Sequence, residues 1–413
     1  QTKMTSKSLP LSTTYSIFCH SLICIFVVLP FLVGFVIPTA LIFQLWKLIV
    51  SKVVKTKRIP EVIHEDIIKE GEEEQVNSTN PRRYDIILFG ATGFTGKMAA
   101  IYIAKTYGRK SFKWAIAGRR QEGLLSLRKE LAAIDPDLAS LPFMVADSNN
   151  EPQLRQLALS TKVIITTAGP YGKYGSLLVK QCALYGTHYC DITGETDWVR
   201  EMIDKYNNTA VRSGARIVHF CGHDCVPWDL CVLLLSLQLR KKNAEEYLTE
   251  VRFYDEINSA PSGGTLDTVF FSLADRVKYR SKLGFDPLLL VSELSTADSA
   301  GDVLMQRSDN KTISKIQSSL QYSKEFKHWV GPFIMAMVMC NCVRRSNALN
   351  KYSPNLVYKE AVVYPSLAAG MINMFTMIAF GLSFFSPPTL WLLQKTVLPQ
   401  PGQGPSEEDM DSG

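Results

Sequence analysis

The chain has 413 residues, enough for about two or three domains, each with a buried core. With 46% apolar and 20% charged residues it is neither disordered nor of low complexity as a whole. The formal charge is +6, but Lys47, Lys52, Lys55, Lys57 and Arg58 fall in one short stretch and the remainder carries only +1. A nucleic-acid binder needs a basic folded body, so that class is disfavoured.

Nine cysteines over this length do not make a disulfide framework, and reduced thiols with a cytosolic body are expected. From Ser8 to Trp46 there is no charged residue, and Leu22 to Trp46 is apolar but for Thr39 and Gln44. At about 1.5 Å per residue such a run crosses a hydrocarbon core of ~30 Å, so residues 1–58 read as an N-terminal transmembrane helix with a basic flank. The bases that follow it, against Lys3 and Lys7 before it, place the body in the cytosol. A cleaved targeting peptide is the alternative, although no small-x-small cleavage pattern closes the segment. Residues 59–82 form an acidic, solvated linker.

Residues 83–242 read as a dinucleotide-binding domain. Short apolar runs at 84–89, 112–117, 141–146, 163–168, 188–192 and 216–221 have strand length, and helical stretches such as 175–186 and 196–213 lie between most of them. Apolar strands alternating with helices predict an α/β fold, a Rossmann-type doubly wound parallel sheet. After a helix at about 227–242 the alternation weakens, and 243–360 reads as a second, α+β domain for substrate binding or closure. Residues 361–395 form a second apolar segment, uncharged from Ala361 to Gln394, able to span a bilayer or, as favoured here, to lie in one leaflet. The tail, 396–413, is acidic and solvated.

The most informative motif is Gly90-Ala91-Thr92-Gly93-Phe94-Thr95-Gly96, placed directly after the first strand and opening a helix. Its glycines serve a tight turn, close approach of backbone to a pyrophosphate, and close helix–strand packing; the helix N-terminus then faces the phosphates. At the end of the second strand the expected acid is replaced by Gly118-Arg119-Arg120. A guanidinium suits a ribose 2′-phosphate, so NADP(H) is the expected cofactor, with Arg119 the first contact and Arg120 the second. Asp147, past the third strand, is placed either to contact the adenine or to form a turn. Ala168, Gly169 and Pro170 close the fourth strand over the nicotinamide half, and Tyr171 and Tyr174 are candidate proton donors or packing residues.

The motifs GATGFTG (90–96), AGR (117–119), AGPYGKYG (168–175), YCDITGE (189–195), CGHDCVPWDL (221–230) and SGGT (262–265) resemble, in their order, the saccharopine dehydrogenase-like oxidoreductases, which include the trans-acting enoyl reductases of bacterial lipid synthesis. The resemblance runs from about Tyr84 to Asp267 and implies an NADP-binding Rossmann domain closed by a second domain, with hydride transfer to a C=C or C=N bond. It implies cofactor contacts at Gly90, Gly93, Gly96 and Arg119, and a substrate cleft lined by Asp191, Gly194, Glu195, Asp224 and Pro227, with Ser262, Gly263, Gly264 and Thr265 as a further shared segment. It also implies association with membranes or lipid droplets. The chain departs from the family pattern at Ser176, where glutamate is frequent, and at Gly222-His223-Asp224-Cys225, where Gly-Phe-Asp-Ser is frequent. Gln1-Thr2-Lys3 ahead of Met4, and a tail that ends soon after GPSEE (404–408), read as a fragment lacking its C-terminus.

His219, Cys221, His223 and Cys225 recur at every second residue, but four such residues on one extended strand cannot close a tetrahedron around one ion, so no metal is expected. His223, at a cleft edge, is the third candidate for acid–base chemistry beside Tyr171 and Tyr174. The expected protein is thus a membrane-anchored, cytosol-facing NADPH-dependent reductase of a lipid-like small molecule, at a membrane or lipid-droplet surface and compatible with a homodimer. Saccharopine reduction, or cofactor binding without turnover, are the alternatives.

Overall fold

The computed structural model describes residues 81–223, 225–256, 262–274, 311–333, 335–351, 353–383, 386–396, 398–400 and 402–406. The expected transmembrane helix, most of the acidic linker, Asp224 and the last seven residues of the tail lie outside the described residues.

Strands β1 (Tyr84–Phe89), β2 (Trp114–Gly118), β3 (Phe143–Val145), β4 (Thr161–Thr166), β5 (His188–Asp191) and β6 (Ile217–Val218) form one parallel sheet in the order β3-β2-β1-β4-β5-β6. Helices α1 (Phe94–Tyr107), α2 (Gln121–Ile134), α3 (Glu151–Ser160), α4 (Tyr171–Tyr174), α5 (Ser176–Leu184) and α6 (Thr196–Ser213) connect them. Alternate residues of β1 point to opposite faces, and both faces are covered. Leu88 packs with Ile116, Leu124 and Leu131 on one side, and Ile87 and Phe89 pack with Ile164, Leu178 and Trp198 on the other. α6 covers the expected span and stops at Gly214, whose φ of 77° closes the helix in the left-handed region. The chain leaves β1 toward β2 on one side and reaches β4 on the other, so a crevice opens at the carboxyl ends of β1 and β4.

The second unit comprises α7 (Val226–Lys242), β7 (Glu250–Asp255), α8 (Gly263–Ala274), β8 (Lys311–Ile316), β9 (Gln321–Ser323), β10 (His328–Gly331), α9 (Ala336–Asn350), β11 (Asn355–Tyr364), α10 (Leu367–Ser383) and α11 (Pro387–Thr396). Its mixed sheet is centred on β11, which pairs in parallel with β7 and β8 and antiparallel with β10; β9 continues beyond β10. Val232 of α7 and Cys340 and Val343 of α9 pack on Val251, Leu356 and Tyr358. Another part of α9 reaches the first unit, where Met339 joins the core containing Ile87 and Trp198. The two units therefore share an apolar seam.

The segment 361–395 divides between the end of β11 and the helices α10 and α11. Residues 361–364 complete β11 and are largely buried in the second sheet, because a continuous apolar run serves a buried strand as well as a bilayer. Gly370 lets α10 close on the sheet: a Cβ there would lie 2.5 Å from Leu320 Cδ1. The Tyr364 hydroxyl meets Asn373 Oδ1 at 3.1 Å. Among the described residues no helix is long and apolar enough to cross a membrane.

Candidate functional site

The glycine loop folds as it does because of backbone crowding. Gly90 has φ 82°, and a Cβ on it would lie 2.9 Å from the Ala168 nitrogen. Gly96 is tighter, with a Cβ falling 2.2 Å from Gly90 O and 2.7 Å from Thr167 Oγ1. Gly93 donates to Gly90 O at 3.0 Å, and no side chain caps α1 at this N-terminus. First-turn N–H groups and the positive end of the helix dipole therefore remain for an anion, a donor set that fits a diphosphate.

A groove of about 260 Å³ lies over this loop. Gly90, Thr92, Gly93, Phe94 and Thr95 form its floor, Arg119 and Arg120 one end, and Ala168, Gly169 and Tyr174 another wall. Gly96 lies beneath, in contact with Gly90 and Thr167. Ser262 and Gly264 come from the second unit; the Ser262 hydroxyl accepts from the Thr265 N–H at 3.3 Å and lies 3.1 Å from Thr265 Oγ1, ordering the start of α8. The Arg119 guanidinium carbon is 6.0 Å from the Tyr174 ring centroid, so Tyr174 stands beside the arginine as a wall of the groove. A larger hollow of about 400 Å³, lined by Arg83, Tyr84, Arg128 and Phe143, lies at the amino edge of the same sheet. Parallel sheets bind their ligands at the carboxyl edge, which assigns the site to the smaller groove.

Several expected site residues serve the scaffold instead. The Asp147 carboxylate accepts from the Asn149 N–H at 2.8 Å, the turn-forming alternative, and it is its neighbour Ser148 that faces the groove. Tyr171 is only 4% exposed; its hydroxyl donates to Thr166 O at 3.0 Å and its ring packs on Trp198. Burial, with the Asp191 charge adding to it, holds this phenol well above its ordinary value, so the expected proton-donor role does not fit. Glu195 accepts from the N–H groups of Tyr171 (2.6 Å) and Gly172 (2.9 Å), anchoring the loop that follows the Gly169–Pro170 cis peptide. Burial raises its carboxyl while these bonds oppose the shift.

Asp191, 1% exposed, is a buried hub rather than a cleft residue: it accepts from Tyr189 OH, Thr193 N and Phe220 N, and lies 2.7 Å from His219 Nδ1. Gly194 packs near Met335, where a Cβ would approach Met335 Cε to 3.3 Å. His223 is exposed, with its ring centroid 5.2 Å from that of Trp228. Among the described residues no group of three His, Cys, Asp or Glu side chains is arranged to hold a metal ion.

Three groove residues carry no local sequence signal that marks them: Thr167, Asp267 and Gly402. Gly402 belongs to a strap, 402–406, that returns from the second unit. Gln403 O accepts from the Gly263 N–H at 2.9 Å, and Gly404 lies on Phe94 so closely that a Cβ would be 2.3 Å from its ring. Gly404→Val therefore pushes the strap off the loop at a cost of about 1–3 kcal/mol, or roughly tenfold to a hundredfold in dinucleotide affinity by fluorescence titration.

Fold and groove together define a dinucleotide-dependent oxidoreductase. No family model matches the chain. A Mycobacterium tuberculosis protein is 32% identical over 349 residues, 81% of this chain and 80% of the relative. The trans-acting enoyl reductases of Mycobacterium bovis and Mycobacterium ulcerans are each 31% identical, covering 80% and 81% of this chain and 79% and 80% of theirs. The chain belongs to the trans-acting enoyl reductase family. Among solved structures, a saccharopine dehydrogenase (L-Glu forming) from Saccharomyces cerevisiae is 16% identical with a TM-score of 0.34, over 43% of this chain and 36% of that one.

Proposed function

We propose that the protein is an NADPH-dependent reductase that adds hydrogen across the C=C bond of an apolar, lipid-derived acyl substrate. The observation that carries this reading is the uncapped N-terminus of α1 over Gly90 and Gly96, with Arg119 beside the same groove. In this reading the N–H groups of Phe94 and Thr95 hold the diphosphate and Arg119 holds the 2′-phosphate, with Tyr174 fixing the guanidinium plane. The bound dihydronicotinamide supplies hydride. Gly169 and Pro170, at the carboxyl end of β4, shape the backbone against which that ring would rest. The enoyl-reductase name of the relatives supports a C=C bond as the target.

A membrane surface is the proposed workplace. Leu230, Leu234 and Leu237 are exposed at helical spacing on α7, which ends in Arg240, Lys241 and Lys242, a pattern suited to an anionic interface. The uncharged stretch from Ser8 to Trp46 supports the same placement. Incubating the full chain in lipid vesicles with NADPH and a long-chain enoyl thioester should oxidise NADPH and yield the saturated acyl product by mass spectrometry. Tight NADPH binding with no oxidation across a panel of enoyl thioesters contradicts the reductase reading.

A further inference from the structure

At the carboxyl end of β5, outside the groove, the backbone brings two thiols together. β5 and β6 run in parallel with Cys190 opposite Val218. Beyond β6 the chain turns at Phe220, whose φ is 61°, and the Cys221 N–H then returns to Asp191 O at 2.7 Å. The Asp191 carboxylate fixes the same turn by accepting from Phe220 N at 3.2 Å. Cys221 is thereby set against the residue that follows Cys190. Its Sγ lies 3.4 Å from Val218 O, while Cys190 Sγ lies 3.8 Å from Ile164 O on β4. The two thiols hydrogen-bond to each other. Both are reduced and half-buried, and His223, just beyond Cys221, is exposed, so the pair is open to a small solute.

The bond between the thiols is unequal. Donation from Cys190 holds the Cys221 thiol below its ordinary range, against burial and the Asp191 charge, and the same bond keeps the proton on Cys190, whose thiol is pushed far up. A lowered thiol beside a protonated one is the arrangement of a peroxide-reactive cysteine and its resolving partner. A second pair, Cys225 and Cys342, is hydrogen-bonded within the core that joins the two units.

We propose that Cys190 and Cys221 form a peroxide-reactive dithiol, which a hydroperoxide converts into a disulfide that ties the turn after β6 to the end of β5. The Cys221 sulfur attacks one peroxide oxygen, the O–O bond breaks, and the other oxygen leaves with the Cys221 proton as water or an alcohol. Cys221, oxidised by two electrons, becomes a sulfenic acid. The Cys190 sulfur then attacks the Cys221 sulfur, an S–S bond forms, and the hydroxyl leaves with the Cys190 proton as water. The pair stands apart from the reductase reading, because neither cysteine lines the groove.

The test treats the reduced full chain with hydrogen peroxide, as wild type, Cys190→Ser and Cys221→Ser, and maps the thiols by mass spectrometry without reduction. The wild type should give a peptide pair joined through Cys190 and Cys221, which dithiothreitol separates. Cys190→Ser should stop at a sulfenic acid on Cys221 that dimedone traps, and Cys221→Ser should leave Cys190 reduced. In the wild type Cys221 should react roughly tenfold faster than Cys231, which is exposed on α7, because thiolate character rather than exposure sets the rate. A disulfide that joins Cys221 to Cys225 or Cys342 instead overturns the pairing. Reaction of Cys221 no faster than that of Cys231 overturns its activation, and oxidation of Cys190 at the wild-type rate in Cys221→Ser overturns its role as the attacking thiol. The wild-type map and rates need neither variant, so the proposal is decided even where a serine variant fails to fold. No cofactor enters the reaction, and failure of the reductase reading is seen separately, as NADPH binding without oxidation.

Discussion

Replacing Asp191 by alanine is expected to destabilise the protein by about 3–5 kcal/mol, the largest effect foreseen for any side chain outside the glycine loop. The carboxylate is buried at the carboxyl end of β5 and holds four groups at once: Tyr189 OH at 2.9 Å, Thr193 N at 3.1 Å, Phe220 N at 3.2 Å and His219 Nδ1 at 2.7 Å. Removing it strands donors in a dry site, each costing about 1–3 kcal/mol when unmet. It also releases Phe220, a non-glycine residue with φ 61°, whose left-handed backbone is held in part by the bond to Asp191. Asp191→Asn keeps an acceptor oxygen and should cost less. Urea denaturation of the two variants reads the difference directly; a loss below about 1 kcal/mol for the alanine variant contradicts the hub.

The second large effect concerns Gly96. Its Cβ would collide with Gly90 O at 2.2 Å, Thr167 Oγ1 at 2.7 Å and Ala91 Cα at 2.9 Å, two of them backbone atoms that cannot swing aside. Gly96→Ala therefore moves the first turn of α1 away from the end of β1, with a loss of about a hundredfold or more in dinucleotide affinity. At Gly93 the Cβ meets only Gly90 O, at 3.3 Å, so Gly93→Ala should fold like the wild type. Any loss of binding there reports on the space the diphosphate needs. Equal melting temperatures with weakened NADPH binding identify that case; wild-type binding by Gly96→Ala contradicts the loop's role.

Local patterns in the sequence carried much of the first domain. Glycine spacing, apolar strand-length runs and the Gly214 stop are short-range features, and β1 and α6 coincide with the runs read at 84–89 and 196–213. The second unit was less legible. β11 forms the centre of a sheet whose partners lie far apart in the chain, and its apolar end merges into α10, so hydropathy alone reads 361–395 as one bilayer-associated segment. Tyr171 reads as a candidate proton donor and Asp191 as a cleft residue because they are polar residues in motifs at strand ends, where scaffold hydrogen bonds also concentrate. The strap over Phe94 joins residues distant in sequence and has no signal within its own segment.

The account depends on a 2′-phosphorylated dinucleotide lying over Gly90 and Gly93 with Arg119 at its far end. Titrating the full chain with NADPH and with NADH, for the wild type and Arg119→Ala, tests this most directly. Expected is at least roughly tenfold tighter binding of NADPH by the wild type, since one charge-assisted bidentate contact is worth about 1.5–3 kcal/mol, and loss of that preference in Arg119→Ala. Equal or tighter binding of NADH, or an alanine variant that keeps the preference, contradicts the assignment.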